Sequence, residues 1–394
     1  MTWPTKKLGE ICEIIAGQAP SSSSYNTEGK GMPFLRVNSF GNIYPRIEAW
    51  TTQSLKCSKE GDVLISVAGS VGMVNLGINA CITRSIFALR PQKDITQKFL
   101  FLILKLKNKE LLNAGQGSAQ KIITIDQIEN FQIPLPSLPI QQKIVKILDT
   151  IQGAERVQEK IIEKTKELKK SMMADLFKYG APSFRKGRKL KKTEIGEIPE
   201  DWKVVTVKDI GEVITGTTPS TLVRDYWNGD IPFVTPTDIT EKYVKNTERY
   251  ISQKGLQKAR LLPKGSVLVT CIASIGKISI APKPCISNQQ INAIICKKDI
   301  DNEYIYYVMS YMSNKLKMWA GQTTSPIVKK SLFEKFTLPL PKNKNEQQKI
   351  AEILQTIDQK IEIERKKKEL YEELFRTMLN NLMSQEIDVE KLKI

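Results

Sequence analysis

The second half of this 394-residue chain repeats the first half about 200 residues later. The matching phrases are Trp3–Ser21 with Trp202–Ser220, Pro33-Phe34 with Pro232-Phe233, Gly61–Ile65 with Gly265–Val269, and Phe131–Pro136 with Phe336–Pro341. The offset drifts only between 199 and 206, so few insertions separate the copies. A unit this long is a whole domain with its appendage rather than a solenoid repeat of about 20–50 residues. The chain must therefore fold as two similar halves, which can present two binding surfaces to a target with two parts.

The charge of the chain indicates a polyanionic partner. There are 60 Lys and Arg residues against 42 Asp and Glu residues, which leaves a formal net charge of +18. Nucleic acid is the partner that this excess favours, and a well-solvated lysine-rich surface is the alternative. The first residues contain no apolar signal segment and no stretch approaches about 18 apolar residues, so we expect neither secretion nor membrane insertion. We predict a cytoplasmic protein with no membrane partner.

The six cysteines are interpreted as small core residues of a protein from a reducing compartment. They form no CxxC pair, and Cys81 and Cys285 occupy matching positions of the repeat. We therefore expect free thiols rather than disulfides or metal ligands.

The sequence lacks the usual residues of an active site. It contains no histidine, which removes the commonest general base and the commonest metal ligand. It contains neither a GxxxxGK[ST] phosphate loop nor a GxGxxG turn after a strand. Glu167-Leu168-Lys169 has the ExK form of some nucleases, but no Pro-Asp precedes it and it falls on a predicted long helix, so a surface coincidence is favoured. We expect a chain without catalytic or metal-binding residues.

The chain divides into two globular segments, each followed by a long helix. We predict domains at residues 1–139 and 200–344, spacer helices at 140–178 and 345–384, a basic linker at 179–199 and a tail at 385–394. Each domain mixes short strands with a helix: strands at 61–67 and 82–89 with a helix at 96–113, then strands at 266–270 and 291–296 with a helix at about 303–319.

Apolar residues recur at spacings of three and four along both helical segments, while Lys and Glu fill the other faces. This pattern favours two helices that pair through a coiled-coil seam over a single solvated helix. The predicted seam residues are Ile144, Ile147, Leu148, Ile151, Ala154, Val157, Ile161, Leu168, Met172 and Leu176, with Ile350, Ile353, Leu354, Ile357, Ile361, Tyr371, Leu374, Met378 and Leu382 in the second helix. At about 1.5 Å per residue each helix is on the order of 55 Å long and would act as a spacer of fixed length.

The connection between the halves is strongly basic. From Lys178 to Lys192 it contains seven Lys and Arg residues and no acidic residue. Its glycines and proline, Gly180, Pro182 and Gly187, predict a mobile connection. The basic residues are either simply solvated or in contact with phosphate, and the sequence favours neither alternative.

Polar residues of the kind that read the edges of DNA bases stand at corresponding places in the two copies, but the residues themselves differ. Arg suits guanine, Asn and Gln suit adenine, and Lys suits phosphates. The candidate DNA-binding residues are Arg36, Asn38, Ser39, Arg84, Gln116, Ser118, Gln120 and Lys121 in the first copy, and Thr235, Thr237, Asn288, Gln289, Gln290, Gln322, Thr323, Thr324, Lys329 and Lys330 in the second. A shared framework with different polar residues predicts that the two domains read two different half-sites.

Within this set we expect a division of roles. Arg36 and Arg84 are the expected base readers of the first domain, with Gln289 and Gln290 as their counterparts in the second. Lys121 and Lys329 lie in equivalent loops and are expected to contact phosphates. The alternative is that all of these are ordinary loop residues, because loops diverge fastest in any case.

A further group of phrases resembles the specificity (S) subunits of type I restriction–modification systems, and the resemblance spans nearly the whole chain. The residues that carry it are Gly61–Ser66 with Gly69–Gly72, Ile133–Pro136 with Gln141–Ile144, Lys192–Trp202, and Pro339–Pro341 with Glu346–Ile350. Their order, duplication and spacing are specific together, although no single phrase is decisive. The first copy departs slightly, since Leu138-Pro139-Ile140 precedes its Gln-Gln where the second copy has Asn345-Glu346.

The resemblance implies a mixed α/β fold of two target-recognition domains, separated by two long antiparallel coiled-coil helices with pseudo-twofold symmetry. Each domain would read one half of a bipartite asymmetric DNA target, while the helices fix the gap and dock the partners. The implied partners are double-stranded DNA, two methyltransferase (M) subunits and, in the restricting complex, motor-nuclease (R) subunits. S-adenosylmethionine, ATP and Mg²⁺ would then belong to the partner subunits, and we expect this chain to bind no cofactor.

Two other functions compete with this one. A tandem-domain nuclease with an unrecognised site would cut DNA by itself in the presence of Mg²⁺. A coiled-coil protein scaffold would have no affinity for DNA even when a methyltransferase is present.

Overall fold

The computed structural model describes residues 3–114, 121–321 and 326–392. The chain forms two compact units: unit 1 contains residues 1–159 and 366–394, and unit 2 contains residues 160–365. Each unit holds one globular domain and the adjoining parts of two long helices. Among the helices in the described ranges, none is long and apolar enough to cross a membrane.

Unit 1 is assembled from short strands, four short helices and parts of the two long helices. Its strands are β1 (Thr5–Lys7), β2 (Cys12–Ala16), β3 (Tyr25–Asn26), β4 (Met32–Leu35), β5 (Trp50–Thr51), β6 (Cys57–Ser58), β7 (Val63–Ser66), β8 (Val74–Leu76), β9 (Ala80–Ile82), β10 (Ile86–Pro91) and β11 (Gln132–Pro134). Its helices in the described part are α1 (Leu8–Ile11), α2 (Gln97–Leu106), α3 (Asn108–Ala114), α4 (Ile125–Glu129) and the first part of α5 (Leu138–Tyr179).

Unit 2 repeats this plan after a hairpin. Its strands are β12 (Leu190–Thr193), β13 (Gly196–Pro199), β14 (Lys203–Thr206), β15 (Gly211–Thr215), β16 (Trp227–Val234), β17 (Arg249–Ile251), β18 (Val267–Thr270), β19 (Ile278–Ile280), β20 (Ile286–Ser287), β21 (Ile291–Cys296) and β22 (Thr337–Leu340). Its helices are α6 (Val207–Ile210), α7 (Gln253–Leu256), α8 (Asn302–Tyr311), α9 (Ser313–Trp319), α10 (Lys330–Phe333) and the first part of α11 (Lys344–Met383).

Each domain is built on a four-stranded antiparallel sheet. The strand order is β2-β10-β7-β8 in unit 1 and β15-β21-β18-β19 in unit 2. The central strands are apolar on both faces because both faces are covered. In β7, Val63 and Ile65 pack into the core that contains α2, whereas Leu64 packs on the other side with Leu35 and Ile82 of the neighbouring sheet.

A second sheet in each domain contains a parallel pair of strands. Its order is β3-β5-β4-β9-β6 in unit 1 and β17-β16-β20 in unit 2. The parallel pairs are β4 with β9 and β16 with β20. Because parallel strands end at the same edge of a sheet, the segments that follow the two strands of each pair lie side by side.

A tight turn replaces part of one predicted strand. The sequence predicts a single strand at 82–89, but the structure divides this segment into β9, a turn at Thr83–Ile86, and β10. The N–H group of Ile86 donates to the Thr83 carbonyl at 2.9 Å and closes the turn. The sequence did not predict this turn, because the apolar residues on both sides of it have the pattern of one continuous strand.

The structure shifts the alignment of the two copies by one residue near this turn. Phe34 lies opposite Cys81 in unit 1, whereas the matching Phe233 lies opposite Ile286 in unit 2. Cys81 therefore corresponds to Ile286, and the predicted match between Cys81 and Cys285 is wrong. The strands before this point keep one offset, so the extra residue lies in the Pro-Lys-Pro turn that precedes Cys285.

The predicted long helix of each domain is broken in its middle. Lys107 alone separates α2 from α3, and Met312 alone separates α8 from α9. The Asn108 side chain donates a hydrogen bond to the Gly72 carbonyl at 2.6 Å and ties α3 to the loop after β7. In unit 1 a contact with a distant part of the chain thus accompanies the break, while the apolar periodicity continues across it.

The long helices α5 and α11 run antiparallel within each unit. In unit 1 the Lys368 Nζ atom lies 3.4 Å from a Glu159 carboxylate oxygen, which joins the first part of α5 to the last part of α11. In unit 2 the Lys169 Nζ atom lies 2.5 Å from a carboxylate oxygen of Asp358, which joins the last part of α5 to the first part of α11. These pairs confirm the predicted antiparallel pairing of the helices.

The seam between these helices departs from the prediction in its middle. Four predicted seam residues are 38–57% exposed: Val157, Ile161, Leu168 and Leu374. In this stretch of α5 the buried residues are Gln158, Ile162 and Thr165, and in α11 Glu364 is buried in addition to the predicted Ile361. Along α5 the buried stripe keeps the alternating spacing of three and four through polar positions. The prediction assigned the seam to apolar residues, several of which lie on the exposed face of the helix.

The linker between the domains is not the mobile connection that the sequence predicts. Residues 190–199 form the β12–β13 hairpin, and the Arg188 side chain is only 9% exposed. Its guanidinium donates to both carboxylate oxygens of Glu346, at 2.5 and 2.9 Å, and this bonding raises the pKa of Arg188. The indole of Trp202 donates to the same carboxylate at 3.2 Å. We call Arg188, Trp202 and Glu346 the linker clamp.

Candidate DNA interface

In the first domain, two polar segments meet at the edge where β4 and β9 end. The Thr83 N–H group donates to the Leu35 carbonyl at 3.2 Å, so the segment after β9 is attached to the segment after β4. Arg36 and Asn38 follow β4 and are exposed, and Arg84 is exposed in the turn after β9. These residues are far apart in sequence, and the parallel pair of strands brings them together.

The second domain repeats this arrangement with other residues. The Asn288 N–H group donates to the Val234 carbonyl at 3.1 Å, which attaches the turn after β20 to the segment after β16. Thr237 and Gln289 are exposed in these two segments.

A third segment in each domain is hydrogen-bonded to the same turn. Val67 donates its N–H group to the Ser85 carbonyl at 2.8 Å and accepts from Ile123 at 2.9 Å. Cys271 does the same in unit 2, with Gln290 and Val328, both at 2.8 Å. We call these three segments together the polar edge: residues 36–39, 83–85 and 121–123 in unit 1, and 235–238, 288–290 and 326–330 in unit 2.

Two glycines allow the chain to pass directly beneath the polar edge. A Cβ atom on Gly17 would lie 2.2 Å from the Thr83 carbonyl oxygen, and one on Gly216 would lie 2.2 Å from that of Asn288. Atoms cannot approach so closely, so only glycine fits at these two positions. Both glycines are part of the repeated phrases, but the reason for them is visible only in the folded chain.

In the first domain an aromatic pair orients Arg36. The rings of Tyr25 and Phe34 are stacked 4.7 Å apart, and the Arg36 guanidinium lies 5.0 and 5.4 Å from their centroids. Such contacts contribute about 0.5–2 kcal/mol and fix the plane of the guanidinium while its N–H groups stay available. The Tyr25 hydroxyl donates to the Pro20 carbonyl at 2.8 Å and holds the loop after β2 in place.

The second domain places an arginine over an aromatic pair from a different strand. The ring of Trp227 packs edge-on against Phe233 at 5.1 Å, and the Arg249 guanidinium lies 3.6 Å from the Trp227 ring centroid. The Trp227 indole donates to the Ser220 carbonyl at 3.1 Å, as the Tyr25 hydroxyl does to Pro20. Arg249 was missed in the sequence because it lies on β17, and the only signal was the Pro-Phe phrase shared by the two copies.

The turns after β9 and β20 present different side chains at the same position. Each turn closes with a hydrogen bond to the carbonyl of its first residue, Thr83 or Asn288, at 2.9 and 3.2 Å. Arg84 and Gln289 are the second residues of these turns, and both are exposed. Arg matches the paired acceptors of guanine, whereas the amide of Gln matches adenine. The same backbone turn thus presents a guanidinium in one domain and an amide in the other.

Other predicted residues support the polar edge from within. Ser39 is 4% exposed and its hydroxyl accepts from the Arg36 N–H group at 3.1 Å, which corrects its prediction as a base reader. Thr235 is half-buried, and its hydroxyl is 2.7 Å from the carboxylate of Asp238. The side chains of Asn288 and Gln290 are half-buried and hydrogen-bonded to each other at 2.9 Å. These contacts hold the shape of the loops from which the exposed residues project.

The predicted phosphate-binding lysines occupy different places in the two domains. Ile122 pairs with Ala68 in unit 1, and Ile327 pairs with Ile272 in unit 2. Lys121 therefore precedes its bridge, whereas Lys329 follows its own and directly precedes α10, so the two lysines lie in equivalent loops but at different positions.

All three predicted lysines are exposed, including Lys330. Lys121 donates to the Leu112 carbonyl at 3.1 Å, and Lys330 lies 3.6 Å from Glu334. Six predicted residues lie outside the described residues: Gln116, Ser118, Gln120, Gln322, Thr323 and Thr324.

The ExK triplet on α5 takes part in helix packing. Glu167 lies 2.7 Å from Lys164 on the same helix, and Lys169 pairs with Asp358 of α11. In the ranges that the structure describes, His, Cys, Asp and Glu form no group of three or more that could hold a metal ion.

Two copies of one domain, with different polar side chains on the same edge and two long paired helices, define a tandem-domain protein with a helical spacer. Residues 1–167 and 199–373 match the family model described as the type I restriction modification DNA specificity domain. The chain therefore belongs to the type I restriction–modification specificity family and contains the domain twice. This confirms the resemblance drawn from the sequence.

Known relatives and a solved structure agree with this membership. The chain is 40% identical to the MjaIX specificity subunit of Methanocaldococcus jannaschii over 217 residues, which are 53% of this chain and only 49% of that one. It is 26% identical to the MjaVIII specificity subunit of the same organism over 423 residues, which are 99% of this chain and 94% of that one. The S subunit structure from M. genitalium shares the fold, with 17% identity, a TM-score of 0.56 and coverage of 97% and 96%.

Proposed function

We propose that this chain is the non-catalytic DNA-recognition subunit of a type I restriction–modification complex, with each domain reading one half of a bipartite asymmetric target. The observation that carries this proposal is the polar edge, where matching turns present Arg84 in one domain and Gln289 in the other. To read an asymmetric target, two domains can dock on the duplex in the same way but must present different base-reading side chains. The repeated fold supplies the first and the divergent side chains supply the second.

The first domain is suited to a half-site that contains guanine. Arg36 and Arg84 each carry a fork of N–H donors, and they project from neighbouring segments of one edge. Such a fork bonds to O6 and N7 of guanine in the major groove, and the aromatic pair beneath Arg36 limits the orientations that its guanidinium can adopt. Asn38 adds an amide beside it.

The second domain is suited to a half-site that contains adenine. The Thr218 hydroxyl donates to the Gln289 Oε1 atom at 2.7 Å, so the amide is oriented before it meets DNA. The Gln289 Nε2 group is then directed away from Thr218 and can donate to N7 of adenine, while the second lone pair of Oε1 can accept from N6. Thr237, Lys329 and Lys330 are also exposed in the segments of this edge.

The long helices are proposed to set the distance between the half-sites and to dock two M subunits, with R subunits joining the restricting complex. At about 1.5 Å per residue, the 42 residues of α5 and the 40 residues of α11 give helices of roughly 60 Å. Half-sites that lie on one face of the duplex are about 34–36 Å apart, a distance that helices of this length can span.

We assign the recognition role to residues 1–139 and 200–344 and the spacing role to 140–178 and 345–384, joined by the linker at 179–199 and followed by the tail at 385–394. Methyl transfer and cleavage belong to the partner subunits in this proposal, and S-adenosylmethionine, ATP and Mg²⁺ act there. The complex works in the cytoplasm, where it meets DNA.

The test compares the purified chain with its complex. The chain alone should neither cleave nor methylate DNA when Mg²⁺ and S-adenosylmethionine are present, and the complex with M subunits should methylate adenines in one bipartite sequence. Cleavage by the chain alone would establish the tandem nuclease instead. A complex with M subunits that has no affinity for DNA would establish the protein scaffold.

A further inference from the structure

Two thiols face each other in the first domain. The Sγ atoms of Cys57 on β6 and Cys81 on β9 are 3.0 Å apart, and the two residues are direct neighbours across antiparallel strands. The Ile82 N–H group donates to the Lys56 carbonyl at 3.0 Å, so Lys56 and Ile82, which flank the two cysteines, form a hydrogen-bonded pair of the ladder. Cys57 and Cys81 thus occupy the narrow position of the ladder, where Cα atoms are about 4.5 Å apart. A disulfide can span that separation.

The second domain shows that packing does not require sulfur at this place. Ser58 with Ala80 and Leu262 with Cys285 are matching cross-strand neighbours. The neighbouring residues match in the same way, so Cys57 corresponds to Leu261 and Cys81 corresponds to Ile286. Aliphatic side chains occupy the same positions in one copy, so these positions can be filled without a pair of thiols.

We propose that Cys57 and Cys81 form a reversible disulfide, which makes this pair a redox modification site of the first domain. Cys57 is half-buried and reachable from solvent, whereas Cys81 is 0% exposed. Cys57 is therefore the thiol that reacts first with an external oxidant, and Cys81 is the thiol that resolves the product. The cross-link would join the edge strand β6 to the strand that leads directly into the turn of Arg84.

The reaction is a thiol–disulfide exchange with a small disulfide such as oxidised glutathione. The Cys57 thiolate attacks one sulfur of the reagent, the sulfur–sulfur bond of the reagent breaks, and one glutathione thiolate leaves. The Cys81 thiolate then attacks the Cys57 sulfur of the mixed disulfide and displaces the second glutathione. Two electrons and two protons pass from the cysteines to the reagent, which gives one protein disulfide and two glutathione thiols.

The resting state is the dithiol. Burial, together with the neighbouring Cys81, raises the pKa of Cys57 to about 12, so this thiol is protonated at neutral pH and reacts slowly. All six cysteines of the chain are free in the structure. Formation of the disulfide from these two thiols requires an oxidant.

The test treats the folded full-length chain with oxidised glutathione, blocks the remaining thiols and maps the peptides by mass spectrometry. The expected product is a peptide pair joined through Cys57 and Cys81, lighter than the reduced pair by two hydrogen atoms and restored by dithiothreitol. Cys81→Ile, which copies the second domain, should instead accumulate glutathione on Cys57 because the resolving thiol is gone. Cys57→Leu should leave Cys81 unmodified.

Two results would overturn the proposal. One is a native chain in which Cys57 takes up glutathione and keeps it, since Cys81 would then fail to resolve the mixed disulfide. The other is a native chain in which neither thiol reacts while it remains folded. If Cys81→Ile unfolds the domain, as judged by circular dichroism, Cys81→Ser replaces it and should give the same stable glutathione adduct.

Discussion

Arg84 and Gln289 stand at the same position of the same turn, so the chemistry of one side chain distinguishes the two domains there. The arginine has only donors, while the glutamine amide has a donor and an acceptor. Each turn is held by hydrogen bonds from three directions, namely the parallel strand, the segment after β7 or β18, and its own closing bond. A substitution at the exposed position should therefore change base recognition and leave the surrounding backbone in place.

Replacing Arg84 with alanine should relax one position of the first half-site. We expect a loss of about 1–3 kcal/mol on the specific site, because a bidentate contact with one base is lost. The measurement is binding of the complex with M subunits to cognate and single-mismatch duplexes. Lys93→Ala is the control, since Lys93 is exposed beyond the opposite end of β10. Equal weakening on cognate and mismatched DNA would make Arg84 a phosphate contact instead.

Replacing Lys121 with alanine should weaken binding to all sequences alike. A flexible ammonium group suits phosphate, so its removal should lower the slope of log affinity against log salt by about one unit. A salt titration on the cognate duplex and on an unrelated duplex measures this. A loss confined to the cognate duplex would instead assign Lys121 to base recognition.

Replacing Gly17 with alanine should damage the first polar edge. The new Cβ atom would lie 2.2 Å from the Thr83 carbonyl oxygen, so the turn that carries Arg84 must move, at a cost of about 1–3 kcal/mol of folding free energy. Recognition of the first half-site should fall and that of the second should not. Gly153→Ala on α5 is the control, because a Cβ atom added at Gly153 would meet nothing within 4 Å. Unchanged recognition by Gly17→Ala would show that the turn position is not critical.

The exposed candidate residues were predictable from the sequence, and the residues that support them were not. Arg36, Arg84 and Gln289 are polar residues flanked by repeated apolar phrases, which is a local signal. Ser39 carries the same local signal, yet it is buried, because burial depends on neighbours that the sequence does not reveal. Arg249 takes the place over the aromatic ring from another strand, so no alignment of the two copies could match it with Arg36.

At the scale of elements, the linker clamp is the clearest departure from the sequence-based prediction. Glycines, a proline and seven basic residues predict a mobile segment, but one of those basic residues meets a buried carboxylate 158 positions later in the chain. The wrong prediction for the middle of the helix seam has a similar explanation. Polar residues occupy the buried heptad positions there, and the apolar residues lie on the exposed face. The presence of both helices followed from periodicity, whereas their buried faces depended on the partner helix.

Replacing Glu346 with glutamine should destabilise unit 2. Breaking a buried ion pair costs up to about 3–5 kcal/mol, and the exposed Asp201 carboxylate, 2.8 Å from the Arg188 guanidinium, compensates only part of this loss. The midpoint of urea-induced unfolding should fall accordingly. Glu167→Gln, which breaks an exposed pair with Lys164 on α5, is the matched control and should leave the midpoint nearly unchanged. Similar midpoints for both variants would show that the clamp does not stabilise the unit.

Lengthening both long helices by one heptad should lengthen the gap in the DNA target. Seven residues inserted after Glu163 in α5 and after Ile363 in α11 keep the seam in phase and add about 10.5 Å, the rise of about three base pairs. The half-sites should stay the same while the unspecified gap grows. A map of methylated adenines in cells that express the variant with its M subunits measures both. Intact methylation with the original gap would show that the helices do not define it.

At the scale of the whole molecule, duplication explains why so much could be predicted. Two copies of each phrase separate framework residues, which agree, from surface residues, which differ, and this comparison substitutes for an alignment of relatives. It predicted two domains and two long helices, and the family match at residues 1–167 and 199–373 agrees. It failed where the copies differ in length, as in the turn before Cys285, because one inserted residue moves every later match.

We expect the two domains to read their half-sites independently. Exchanging residues 1–139 for the matching domain of a relative with a different target tests this expectation most directly, with methylated adenines mapped across the genome in the presence of the M subunits. We predict a new first half-site, with the second half-site and the gap unchanged. A change in both half-sites would show that the domains do not read independently, and a change in the gap would show that the exchanged domain also sets the spacing.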